Sequence, residues 1–302
     1  MPERCESFSV GQFAFDCNDG TNSHVMEGDK NIIRSLTQIN KPVYISIGFG
    51  FSDDWDSVLS PPDANVFKKE SFDPLINFLN TYKITGIMIN CRDLYAGIEN
   101  FAQKIFDFVT SIKKEINQLK VGLVVDGPGY SLYPDKTLFD FTKTNKILEF
   151  YAIDLGNLNI CDAEAKQLGL SPVKSTSPSM WTIESVNNAI NNSTMDKSKI
   201  YAMLQVSVII PKSLVGKDKK QLTSYAKYCS NTDSNSCQWC SNPSQLSYDQ
   251  GVYAKQNYKG IILRQLDTDD YGCNCECGQF PVTNQIINGW ESCTFTSCPK
   301  LD

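Results

Sequence analysis

Apolar residues along this chain follow two alternating rhythms. Short continuous runs, rich in β-branched residues, read as buried strands over Val10–Phe15, Val43–Gly48, Ile84–Asn90, Val121–Asp126, Glu149–Leu155, Ile200–Ile209 and Gly260–Leu266. Between them, apolar positions recur at the spacing of one helical face. Asp29–Ile39 carries Ile32, Ile33, Leu36 and Ile39, and Phe72–Tyr82 carries Leu75, Ile76 and Leu79. Ile98–Leu119 is a longer stretch of the same kind. Further helices are predicted over Thr137–Lys146, over Trp181–Asn191 with Thr182 or Ser179 opening it, over Tyr248–Gln256 and over Pro281–Asn288. Unbroken apolar strands alternating with crossover helices mean a parallel sheet. Over 302 residues that sheet is either a (β/α)8 TIM barrel or an open doubly wound sheet. No G-x-G-x-x-G follows any strand, so a dinucleotide fold has no support.

Composition narrows this picture. With 41% hydrophobic and 21% charged residues, the chain can bury a large core. Its net charge of −6 gives no basic surface for nucleic acid or an anionic membrane. No run approaches the roughly 18 apolar residues of a membrane span. The first residues, Met-Pro-Glu-Arg-Cys, lack the apolar core of a secretion signal, which is therefore expected to be missing from this chain.

Cysteine is the strongest compositional signal. The candidates for a disulfide framework are Cys5, Cys17, Cys91, Cys161, Cys229, Cys237, Cys240, Cys273, Cys275, Cys277, Cys293 and Cys298. From about residue 229 the chain is disulfide-rich, within a single expected domain over 1–302. Cys237-Gln-Trp-Cys240 has zinc-ligand spacing, but Cys273-Asn-Cys275-Glu-Cys277 does not supply the second pair that a structural zinc site needs. No metal and no cofactor is expected. Cys91, inside a strand, is a candidate buried thiol. Asn191 and Asn192 open two overlapping glycosylation sequons, in keeping with an extracellular, secreted protein.

Several segments resemble the family 18 glycoside hydrolases, the chitinases, in the right order. Phe13-Ala14-Phe15 is similar to the family's second strand, Y-A-F. Ser46-Ile47-Gly48-Phe49-Gly50 resembles the S-x-G-G motif of the third. Phe72–Arg92 resembles the helix and fourth strand that end in D-G-x-D-x-D-x-E. Gly260–Asp270 resembles the eighth strand and its D-x-D-D loop, and Cys277–Ile287 the family's C-G-x-x-P tail. The resemblance implies a TIM-type barrel with its binding face at the C-terminal strand ends. It also implies a missing or distorted first strand, since nine residues precede Val10, and no full chitinase insertion domain.

Family 18 catalysis uses one Glu as acid, and the sugar's own N-acetyl oxygen as nucleophile. Registering Gly86 on the motif's glycine puts Thr85, Met88 and Asn90 at the Asp positions and Arg92 at the acid. A guanidinium stays protonated and cannot serve as a general acid. The family's M-x-Y-D becomes Tyr151-Ala152-Ile153-Asp154, and the tryptophan floor of the sugar subsite becomes Arg264. Asn90, Arg92, Asp154, Arg264, Trp55 and Phe49 are thus the candidate pocket. There Asp154 either neutralises an arginine in a filled barrel or helps to bind an anionic ligand. Trp55, Trp181, Trp239 and Trp290 are candidate sugar platforms, with Trp55 the best placed, and Trp239 and Trp290, beside cysteines, expected instead to pack in the core or against disulfides. Asp267, Asp269 and Asp270 are expected to bind backbone rather than calcium. Relocated chemistry would need Asp126, Asp154 or Asp267, with no nucleophile–base pair in view. The expected function is a non-catalytic chitinase-like protein, a monomer that binds chitin or N-acetylglucosamine oligomers weakly or not at all. The alternative is a secreted effector that docks a protein receptor on the barrel.

Overall fold

A computed structural model describes residues 4–13, 27–48, 55, 58–60, 72–90, 100–128, 139–215, 222–230 and 238–302. Seven strands, β1 (Phe8–Phe13), β2 (Val43–Ile47), β3 (Gly86–Asn90), β4 (Lys120–Asp126), β5 (Phe150–Asp154), β6 (Ile200–Gln205) and β9 (Gly260–Arg264), belong to one sheet that follows chain order. A small ladder of β7 (Val208–Ile209) and β8 (Leu222–Thr223) stands apart from it. The helices are α1 (Glu27–Thr37), α2 (Asp73–Thr81), α3 (Phe101–Glu115), α4 (Phe141–Thr144), α5 (Ala163–Leu168), α6 (Ile183–Asn192), α7 (Tyr225–Ser230), α8 (Ser244–Asn257) and α9 (Pro281–Glu291). The chain divides into two compact units, one of residues 1–151 with 194–196, the other of residues 152–193 with 197–302.

In the first unit β1 to β4 pair in parallel, each with its sequence neighbour. Ile45, Ile87, Val121 and Leu123 are fully buried, which explains their unbroken apolar runs. Each such side chain contributes about 1.5–3 kcal/mol through burial. Gly86 and Gly122 matter because two aromatic rings lie on them. A Cβ at 86 would sit 2.3 Å from the Lys120 carbonyl oxygen and 2.6 Å from the Tyr44 ring, and one at 122 would sit 2.3 Å from the Phe150 ring. Tyr44 and Phe150 then meet edge to face at 5.7 Å. The helix expected over Thr137–Lys146 is only α4 among the described residues, capped by Asp140, which accepts from Thr142 N–H at 3.0 Å. Asn145 ties residues 194–196 to this unit. Its amide donates to Thr194 O at 2.8 Å, and its oxygen accepts from Asp196 N–H at 3.0 Å.

In the second unit β6 pairs in parallel with β9, in a register that sets Gln205 beside Arg264. The strand expected over Ile200–Ile209 breaks after Gln205. Val206 N–H turns to Arg264 O at 2.9 Å, and Ile209 exchanges two backbone bonds with Cys240, each 2.8 Å. Thr182, not Ser179, opens α6 through a reciprocal capping box with Ser185. Helices α5 and α7, short and weakly patterned, have no counterpart among the expected elements. Helices α8 and α9 pack backbone against backbone. A Cβ on Gly251 would lie 2.0 Å from Ile286 O, and one on Gly289 would lie 2.0 Å from Tyr248 O.

Disulfides join Cys161 to Cys240, Cys229 to Cys275 and Cys277 to Cys298, with Cα separations of 5.6, 4.9 and 5.7 Å. Cys240 is therefore no zinc ligand, and no cluster of metal-binding side chains occurs among the described residues. Cys5, Cys273 and Cys293 correct the expected framework. They form no disulfide with any described cysteine. Cys17, Cys91 and Cys237 lie outside the described residues.

Gly251→Ala should force α8 and α9 apart and lower stability by about 2 kcal/mol, read as a lower urea midpoint. An equally stable variant would show that the helices can separate without cost. Replacing Cys161 and Cys240 by alanine should remove about 4 kcal/mol by freeing a long loop in the unfolded chain, measured the same way.

Candidate functional site

Three strands of the second unit end in polar residues: β5 in Asp154, β6 in Gln205 and β9 in Arg264. Asp154 is only 5% exposed, deep for a carboxylate. Arg264 Nη1 donates to its Oδ2 at 3.0 Å, and the Gly156 N–H donates to its Oδ1 at 3.0 Å. The ion pair is thus buried on the acid side, while the Arg264 side chain keeps 29% of its surface exposed. Both oxygens of this carboxylate thus face hydrogen-bond donors.

The turn after β5 holds this geometry. A Cβ at Gly156 would lie 2.7 Å from Gln205 Cβ and 3.2 Å from Asp154 Oδ1, so glycine permits the close approach. Ser171 Oγ donates to Gly156 O at 3.0 Å and accepts from Leu158 N–H at 3.2 Å. Gln205 accepts from Asn157 Nδ2 at 3.0 Å and donates to Ser207 Oγ. Gln205 and Asn157 were missed from sequence. The available signal was register, because Gln205 occupies the strand-end position beside Arg264.

Asp269 and Asp270, in the turn after β9, bind backbone as expected. Asp269 accepts from the N–H groups of Asp270 at 2.8 Å and Thr283 at 2.8 Å. Burial pushes its carboxyl above the ordinary value, against the pull of those donors. Asp270 accepts from Cys275 N–H at 2.6 Å, Asn274 Nδ2 at 2.9 Å and Gly272 N–H at 3.2 Å. Burial raises its carboxyl too, but those donors outweigh burial and hold it below the usual range. Asp267 is exposed.

No protein-family profile and no curated protein sequence matches this chain. Solved structures do. The Group II chitinase catalytic domain 2 of Ostrinia furnacalis superposes with a TM-score of 0.77 at 13% identity, over 100% of this chain and 93% of that one. This chain has the chitinase fold. YKL-39, solved in the presence of chitooligosaccharides, matches with a TM-score of 0.72 at 14% identity, over 94% of this chain and 91% of that one. A chitinase-like agglutinin from Robinia pseudoacacia matches with a TM-score of 0.67 at 14% identity, over 94% and 93%.

Within the chitinase fold the expected pocket residues have separate fates. Asp154 and Arg264 are brought together. Asn90 ends β3, half-buried, in the first unit. Trp55, in the same unit, is 1% exposed. It is a core side chain, which corrects its reading as a sugar platform, because stacking needs an open ring face. Arg92 and Phe49 lie outside the described residues. Trp239 is 4% exposed and lies under the Lys227 ammonium at 5.3 Å, and Trp290 is half-buried. Trp181 is the exposed tryptophan, at 38%.

Arg264→Met should cost about 2 kcal/mol, less than a fully buried pair because Arg264 reaches solvent, and Asp154→Asn should recover part of that loss. Equal stability of Arg264→Met and wild type would show that the pair is dispensable. The Asp270 shift has a defined sign. A depressed acid stabilises the fold above its ordinary value, and the benefit is lost as pH falls below it. Asp270→Asn should therefore destabilise the fold at pH 7, with the gap to wild type narrowing as pH falls below the ordinary value of 3.8, read in thermal melts.

Proposed function

We propose that this chain is a secreted, non-catalytic chitinase-like protein that binds chitin-type oligosaccharides weakly. The observation that carries the reading is the acid position itself. Where the family's proton donor would stand, the chain has Arg92, flanked by Asn90, Met88 and Thr85. Substrate-assisted hydrolysis needs a carboxylic acid there, and an arginine guanidinium does not release its proton at neutral pH. Asp154, the remaining family-like acid, is taken up by Arg264 and the Gly156 N–H. Two of the fold's neighbours support carbohydrate binding: a protein solved in the presence of chitooligosaccharides and a chitinase-like agglutinin.

Secretion fits the three disulfides, which persist in oxidising compartments. Asn191 and Asn192 are both exposed at the end of α6, where an oligosaccharyltransferase can reach them. Among the described residues, no helix is long and apolar enough to cross a membrane.

Isothermal titration with chitin oligomers, followed by mass spectrometry of the same samples, tests the proposal. Saturable heat with intact oligomers is the expected result. Cleavage products would overturn the loss of catalysis. Absence of heat would remove the carbohydrate and leave a protein receptor as the ligand.

A further inference from the structure

The turn after β9 gathers two disulfides and a cysteine that belongs to neither. Phe280 N–H donates to Asp270 O at 2.9 Å, which closes residues 270–280 into a loop whose ends meet. The Asp270 carboxylate lies inside and holds Gly272, Asn274 and Cys275. Glu276 N–H donates to Cys273 O at 3.1 Å, a turn that keeps the Cα atoms of these two residues within about 7 Å. Cys273 opens this turn and Cys277 directly follows it. Cys273 is exposed and forms no disulfide with any described cysteine. Cys277 is half-buried and bonded to Cys298, which is 0% exposed. The other bond of the loop, Cys229 to Cys275, is buried at both ends. Lys300 ties the chain after Cys298 to the same turn, its ammonium donating to Asn274 O at 3.1 Å and Glu276 Oε1 at 2.6 Å.

A thiolate exchanges with a disulfide by attacking one sulfur and expelling the other, and access decides which sulfur is attacked. We infer that Cys273 is an internal exchange thiol that takes Cys277 from Cys298 and so unlocks the C-terminal segment, residues 293–302. The Cys273 thiolate attacks Cys277 Sγ, the more accessible sulfur of that bond. The Cys273–Cys277 bond forms and the Cys277–Cys298 bond breaks. Cys298 leaves with the electron pair and takes up one proton, replacing the one that Cys273 released. No oxidant or reductant is consumed. The Cys298 sulfur already lies 3.9 Å from Cys275 O, an acceptor for its new S–H. Cys298 is the covalent anchor of residues 293–302, in which only Cys298 and Leu301 are buried. The remaining ties are non-covalent. Tyr248 donates its hydroxyl to Cys293 O at 2.7 Å, Gln285 donates to Thr296 O, and Asp302 accepts from Ser244 at the start of α8. Phe295 meets Tyr248 edge to face, and the Lys300–Glu276 ion pair is exposed and weak. A segment held in this way opens locally while the fold beneath it persists.

Peptide mapping without reduction tests the exchange. The protein is held at neutral pH with no added thiol, quenched with acid, blocked with N-ethylmaleimide and cleaved after Glu276 and Glu291, which puts Cys273, Cys277 and Cys298 on three peptides. Wild type should give two forms: Cys277 linked to Cys298 with the label on Cys273, and Cys273 linked to Cys277 with the label on Cys298. Cys273→Ser, checked for folding by thermal melts, should lose the second form and all label on Cys298. Amide hydrogen exchange over residues 293–302 should be slower in Cys273→Ser than in wild type. Label on Cys273 and never on Cys298 in wild type would overturn the exchange, as would Cys273 found bonded to Cys17, Cys91 or Cys237. Equal hydrogen exchange in the two proteins would overturn the unlocking of the segment.

Discussion

Two adjacent buried carboxylates organise the C-terminal part of this protein. Asp269 and Asp270 are both 0% exposed, and each survives burial by collecting N–H donors. Asp269 reaches the first turn of α9 through Thr283 N–H, where Phe280 offers no side-chain cap of its own. A carboxylate at a helix N-terminus also meets the positive end of its dipole. Asp270 folds residues 272–275 around itself and so delivers Cys275 to Cys229. Without these bonds, neither the start of α9 nor the disulfide-bonded tail has a defined position.

That helix then imposes the next constraint. Gly251 and Gly289 let α8 and α9 approach until backbone meets backbone. Asp302 reinforces α8 from the far end of the chain. Its carboxylate accepts from Ser244 N–H at 2.9 Å and Ser244 Oγ at 2.7 Å, and so supplies the cap that Pro243 cannot. The same economy recurs in the first unit, where Gly86 and Gly122 make room for Tyr44 and Phe150.

Strands β2 to β6 were legible in sequence because both of their faces are largely buried, whereas β1 and β9 keep partly exposed positions. VYISI, GIMIN and FYAID show it as continuous apolar runs. The D-x-D-D turn was legible through its resemblance to the eighth-strand loop of the family 18 hydrolases, in which such a turn is structural. Other features depend on contacts distant in sequence. Ile200–Ile209 reads as one strand, and its break follows from Ile209 pairing with Cys240 rather than from its own residues. Trp55 follows a strand in sequence, yet burial removes it from any surface. Trp181 carries no local mark that separates it from the other tryptophans, because the Asn159 amide that bonds its backbone lies 22 residues away.

The Cys161–Cys240 bond spans 79 residues and encloses α5, α6, β6, β7, β8 and α7 within one covalent loop. A single proteolytic cut inside that loop yields two fragments that stay tethered and migrate as one until a reductant is added. The loop that carries Trp181 lies within the same ring. One nick there therefore leaves that loop attached to the rest of the chain, and such damage would go unnoticed in a non-reducing gel.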